Sequence, residues 1–243
     1  MKGFNVNTVL ITIVMLISGC STTSQYHGSS SSAVGTAWGD DVHSVVKGVS
    51  VERARQEPAS IVLINYTAEY PSTDDTVYSI RIGNLEYAVR DDNFSSMPIS
   101  RVYDSSRSKM KYIIHARTGS NYQLYVRNYS RHTNFEIVAT VDGLDVLTGS
   151  AGSWRNKGYI VNAGGSLAIQ GFRKNQQTEA AFVFSDSRDA YAAHSMQGDV
   201  SNVGVIGFAA FELQGRAAKL LPPCAAQAFP ADNNGYAPPP CRK

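Results

Sequence analysis

The chain has 243 residues, 43% of them hydrophobic and 17% charged, with a formal net charge of +2 at pH 7. This composition can fill a packed core, and the charge is too small to set up a global field that would steer nucleic acid or acidic membranes. Thirteen tyrosines and 20 glycines lean the chain towards β-structure.

The first segment reads as a targeting signal. Lys2 supplies a positive start, the nine residues 9–17 an apolar run, and Ser18-Gly19 the small residues that a signal peptidase needs. The run is well short of the roughly 20 residues of a spanning helix. Leu16-Ile17-Ser18-Gly19-Cys20 resembles the lipobox of bacterial lipoproteins. That resemblance implies removal of residues 1–19 and lipidation of Cys20, with chains such as palmitate, as the first mature residue. Ser21, a residue other than Asp, implies delivery to the outer membrane of the cell envelope, on its periplasmic or its surface face. Several acyl chains on one Cys would anchor stably where a single chain holds only marginally. A cleaved signal with an incidental Cys, or a membrane anchor, are the competing readings. Cleavage leaves 224 residues and, with Lys2 gone, a formal charge of +1.

Residues 20–36 are Ser- and Gly-rich and predict a lipid-anchored flexible tether. Trp38, Val42, Val45, Val46 and Val49 recur at three- and four-residue steps, which predicts a short helical segment over 37–57. From Ile61 the period changes to two. Strands are expected at 61–64, 78–82, 85–90, 109–117, 121–129 and 134–141, then at 158–161, 166–170, 179–184 and 203–213. Gly83-Asn84 and Asp142-Gly143 read as two-residue hairpin turns. The expected fold is therefore mainly β: an antiparallel β-sandwich over 58–215, preceded by the helix and followed by a Pro-rich tail over 216–243. Tyr122, Leu124 and Val126 are expected on the core face, with Phe135, Ile137, Ala139, Val141, Leu167, Ile169, Ala180, Phe182 and Phe184. Cys224 and Cys241 are an even pair in an oxidising compartment, so a disulfide is expected to close the tail over a loop of roughly 17 residues, worth about 3 kcal/mol. The competing metal or redox pair would have sixteen residues between its thiols and no nearby His.

A second resemblance covers residues 110–213. Val141-Asp142-Gly143-Leu144-Asp145-Val146, Gly158-Tyr159-Ile160 and Ile169-Gln170-Gly171-Phe172-Arg173 stand in that order. Ala181-Phe182-Val183-Phe184-Ser185, Tyr191-Ala192 and Asn202-Val203-Gly204-Val205-Ile206-Gly207 follow. The order resembles a domain of uncharacterised bacterial proteins and implies a small β-sandwich. It implies no activity and no catalytic set.

Catalytic patterns are sparse. Ser108-Lys109-Met110-Lys111 has the Ser-x-x-Lys spacing of penicillin-recognising enzymes but lacks their partner motifs and precedes a strand. Gly149-Ser150-Ala151-Gly152-Ser153 is a flexible turn, not a nucleophile elbow. His27, His43, His115, His132 and His194 show no zinc-clasp spacing, and Asp74-Asp75 and Asp91-Asp92 read as turns instead of a calcium loop. No catalytic residue, metal or cofactor is assigned. Gln123, Tyr125, Arg127 and Tyr129 fall opposite the core face of their strand, with Lys109 and Lys111 expected on the neighbouring one. Tyr125, Arg127, Tyr129, Lys109 and Lys111 thus form the candidate binding surface. The function expected is a non-enzymatic binding or scaffolding role towards an envelope protein, peptidoglycan or glycan, with no nucleic-acid partner. The alternative is an envelope hydrolase with a Ser/His/Asp site assembled in space.

Overall fold

The computed structural model describes residues 33–215 and the main chain of 226–228. Cys20, Cys224 and Cys241 lie outside the described residues, as do the expected signal segment and most of the expected tether and tail. The first strands are β1 (Val34–His43), β2 (Val46–Gly48), β3 (Ser60–Thr67), β4 (Thr76–Val77), β5 (Ile80–Ile82) and β6 (Leu85–Asp91). They continue as β7 (Ile99–Asp104), β8 (Lys109–His115), β9 (Asn121–Asn128), β10 (Phe135–Val141), β11 (Leu144–Asp145) and β12 (Tyr159–Val161). The last are β13 (Ser166–Ile169), β14 (Gly171–Arg173), β15 (Thr178–Asp186), β16 (Val205–Glu212) and β17 (Ala226–Ala228), with one helical turn, α1 (Tyr191–His194).

These strands form two sheets. The first has the order β1-β15-β9-β6-β5, with β13 also on β9 and β14 also on β15. The second runs β2-β17-β12-β10-β16-β3-β8-β7-β4, with β11 on β10. The architecture is mainly β and sandwich-like, as the alternating pattern requires. It departs from a purely antiparallel arrangement at β3–β8 and β2–β17, which are parallel.

The core lies between the sheets. Tyr122, Leu124 and Val126 of β9 meet Phe182 and Phe184 of β15 and Leu167 and Ile169 of β13, and Phe135, Ile137, Ala139 and Val141 face them from β10. Tyr122 stacks on Phe184 with centroids 4.1 Å apart, and Tyr87 tilts against Phe208 across the sandwich at 5.3 Å. Burying one such aromatic side chain contributes about 1.5–3 kcal/mol. Both predicted turns form. Ile82 pairs with Leu85 around Gly83, whose φ of +59° suits the first central position of a type II′ turn. Asp142 (φ 53°) and Gly143 (φ 78°) both take the left-handed conformation that a type I′ turn demands.

The helix expected over 37–57 does not form. Its first half is β1, paired with β15 from Val34↔Asp186 to His43↔Thr178, and Val46–Gly48 is β2. The apolar spacing that suggested a helix is reproduced by a register shift between Trp38 and Asp41. Pairing with β15 overrides a weak helical period built largely from valines, which favour strands. Gly39 belongs at this irregularity: a Cβ there would come within 2.6 Å of Val183 Cγ2 and 2.8 Å of the Ala181 carbonyl. The folded domain accordingly starts earlier than expected, since β1 takes residues 34–36 from the tether. In the tail, β17 pairs with β12 and β2.

Candidate functional site

The structure divides the predicted binding surface. Tyr125 and Arg127 lie on β9 in the first sheet, whereas Lys109 and Lys111 are exposed on β8 in the second. β8 and β9 are not a hairpin. After His115 the chain crosses from one sheet to the other through the turn at Gly119, so β9 finds β6, β13 and β15 as neighbours instead. The two lysines therefore do not extend the Tyr125 face.

On that face the residues interlock. Tyr125 is only 8% exposed, because Arg90 lies over its ring at 3.3 Å. Its cross-strand neighbours are Ala88 and Ala168, too small to cover the ring themselves. Further along, Tyr129 carries Arg81 at 4.4 Å and Arg127 at 4.9 Å over its ring. The Tyr129 hydroxyl donates to Glu86 Oε2 at 2.6 Å, and Ser79 Oγ donates to Glu86 Oε1 at 2.7 Å. The Tyr129 hydroxyl, then Ser79, with the two guanidiniums adding to them, hold the Glu86 carboxyl below its usual range. The carboxylate in turn pushes the Tyr129 phenol up. Three arginines and one glutamate thus frame two tyrosines, and Arg81, Arg127 and Tyr129 remain exposed.

Buried polar groups are paired off. Asp142 accepts from the main-chain N–H of Thr36 and of Gly204, each at 2.8 Å, and from the Tyr66 hydroxyl. Burial drives its carboxyl upward against the pull of those hydrogen bonds. Arg173 donates to Glu179 and to Ser44, and reaches the Tyr159 hydroxyl at 3.1 Å. Arg53 donates to Glu136 at 2.6 Å while covering the Phe211 ring at 3.6 Å. Buried charges paired in this way have structural work to do.

A cleft that the sequence did not disclose lies at one end of the sandwich, around the turn that follows β6. Asp91 caps this turn, its Oδ1 accepting from Asn93 N at 3.0 Å and Ser95 N at 2.9 Å. On one side is a hollow of about 160 Å³ lined by Asp91, Asp92, Phe94, Asn121, Gln123 and Gln170. On the other is a hollow of about 620 Å³ that shares Asp91, Asp92 and Asn121 and adds Tyr70, His115 and Arg117. Phe94 is 62% exposed at φ 62°, and Tyr70 is 80% exposed and stacks on His115 at 3.6 Å. Gln123 is 5% exposed: its Nε2 donates to the Asp91 carbonyl at 3.3 Å, and its Oε1 has no partner. A buried acceptor left in this state costs about 1–3 kcal/mol. The Asp-Asp-Asn-Phe run was legible as a turn, and the phenylalanine at its tip is the one sequence signal for a site there.

The motifs with catalytic spacing do not converge. Ser108 sits in the β7–β8 turn at φ 50° with Lys111 along β8. His194 Nε2 lies 2.9 Å from the Arg188 carbonyl, and His115 Nδ1 is buried without a partner. Neither contact builds a Ser/His/Asp relay. Among the described residues no group of three or more His, Cys, Asp or Glu side chains is placed to hold a metal ion. No described helix is long and apolar enough to cross a membrane. Comparison with family models, with curated proteins and with solved structures gives no match, so the site rests on its own geometry.

Proposed function

We propose that this protein is anchored to the outer membrane through lipidated Cys20 and presents its β-domain as a non-enzymatic binding module for an envelope partner. The anchoring half rests on the Ser18-Gly19-Cys20 boundary and the apolar run before it. The binding half rests on one observation: Arg81, Tyr129 and Arg127 stand as an exposed cation–aromatic strip on the first sheet. Its tyrosine is locked by Glu86, so little side-chain freedom is left to lose on contact. Two guanidiniums offer paired donors to carboxylates, and peptidoglycan carries such groups on its peptide stems.

The test compares the full chain with an Arg81→Glu, Arg127→Glu double variant. Both are assayed for co-sedimentation with isolated peptidoglycan sacculi and for cross-linked partners in intact envelopes. The wild type should be retained and the folded variant released. Identical behaviour of the two removes the strip from the function.

A further inference from the structure

We infer that the cleft around Asp91–Phe94 is a binding site for an uncharged saccharide, independent of the lipid anchor and of the arginine strip. A pyranose ring has two chemical requirements. Its C–H faces seek aromatic rings, and its hydroxyl or acetamido groups seek planar side chains that both accept and donate. The cleft supplies both. Phe94 and Tyr70 expose their rings on either side of the turn. Asn121, Gln123 and Gln170 bring carboxamides to the smaller hollow, and Asp91 and Asp92 bring carboxylates to the wall that both hollows share.

Two details point to a ligand instead of a solvated turn. The first is Gln123. Its carboxamide is pinned by Nε2 to the Asp91 carbonyl, leaving Oε1 as a buried acceptor without a donor beside the smaller hollow. A sugar hydroxyl or an acetamido N–H is the kind of group that completes it. The second is Phe94. An aromatic residue is held at φ 62° with its ring in solvent, a conformation that Gly or Asn adopts at lower cost. Strain of this kind accompanies a side chain that must be presented. Arg117 lines only the larger hollow, so at the smaller one the carboxylates of Asp91 and Asp92 disfavour acidic sugars and the carboxamides match an uncharged one.

Isothermal titration calorimetry of the full chain with chitotetraose and with maltotetraose tests the inference. At least one should bind with a Kd below about 1 mM. A Phe94→Gly, Tyr70→Ala double variant should keep the wild-type circular dichroism spectrum and weaken binding about tenfold or more. The inference is overturned if neither oligosaccharide binds, or if the double variant at Phe94 and Tyr70 binds as tightly as the wild type. Should substitution at Tyr70 disturb folding, Phe94→Gly alone decides, because glycine accepts that backbone conformation.

Discussion

Asp142, in the turn that leaves β10 of the second sheet, accepts the main-chain N–H of Thr36, on β1 of the first, at 2.8 Å. The same Thr36 places its Oγ1 2.7 Å from the hydroxyls of both Tyr66 and Tyr122. The two sheets are thus joined by directional polar contacts as well as by apolar packing. Asp142→Asn keeps the shape but offers one acceptor oxygen where two are used, so unfolding in urea should show a loss of about 1–3 kcal/mol. Thr36→Val, which removes the shared hydroxyl, should lose about 1–2 kcal/mol. A loss below about 0.5 kcal/mol in both would show that the clasp is dispensable.

Burial raises the carboxyl pKa of Asp142 and of Asp145. Each therefore holds its proton more tightly folded than unfolded. Stability falls as pH rises through the folded values and grows as pH drops towards the ordinary carboxylate range near about 4. Glu86, Asp104 and Asp186 are shifted downward by their partners, so their contributions fade only at lower pH. The melting temperature should fall as pH rises from about 4 towards neutrality. Asp142→Asn should flatten that slope, and a wild-type melting temperature that is equal or lower at the acidic pH contradicts the assignment.

Glu179 is 1% exposed and takes its charge partner from Arg173. Arg173→Met strands that carboxylate in the interior and should destabilise the fold by about 3–5 kcal/mol. Replacing both, as Arg173→Met with Glu179→Leu, should recover most of the loss, since the pair exchanges its attraction for a large desolvation cost. Urea midpoints of the three proteins settle it: a double variant no more stable than Arg173→Met refutes the stranded-charge account.

Phe94→Gly should do the reverse of a typical core substitution. The ring is exposed and the backbone is left-handed, so the change removes about 1 kcal/mol of strain while discarding little burial. Thermal melting should rise by about 2 °C, the low end for a domain of this size, since glycine returns some freedom to the unfolded chain. Set beside the expected loss of oligosaccharide affinity, a stabilised but non-binding variant would mark Phe94 as retained for contact and not for folding.

The parts of this fold that the sequence discloses are those where neighbours in the chain carry the signal. Tyr122, Leu124 and Val126 alternate with Gln123, Tyr125 and Arg127, and only the first three join the core, although Gln123 and Tyr125 are covered on their own face. Asp142-Gly143 and Gly83-Asn84 turn where their backbone freedom allows. Partners far along the chain leave no such trace. The pattern of β1 misleads because its mate, β15, lies on the other side of most of the sequence. Lys109 and Lys111 were placed beside Tyr125 because successive strands usually pair, and here the chain changes sheet between them. The cleft was unreadable for the same reason: Tyr70 lines one hollow and Phe94 and Gln123 the other, and only the fold shows that the two share a wall at Asp91, Asp92 and Asn121.

The position of β16 bears on how the molecule is assembled during synthesis. Among the described residues it is the last long strand, yet it sits between β10 and β3 and is hydrogen-bonded to both. Until Val205–Glu212 has left the ribosome, the two halves of the second sheet have no shared neighbour, and the clasp at Asp142 lacks its Gly204 donor. Pairings of such long sequence separation form slowly. Until that strand is in place the second sheet stays divided between its β10 side and its β3 side, so strands made earlier must wait for a partner that the chain supplies late.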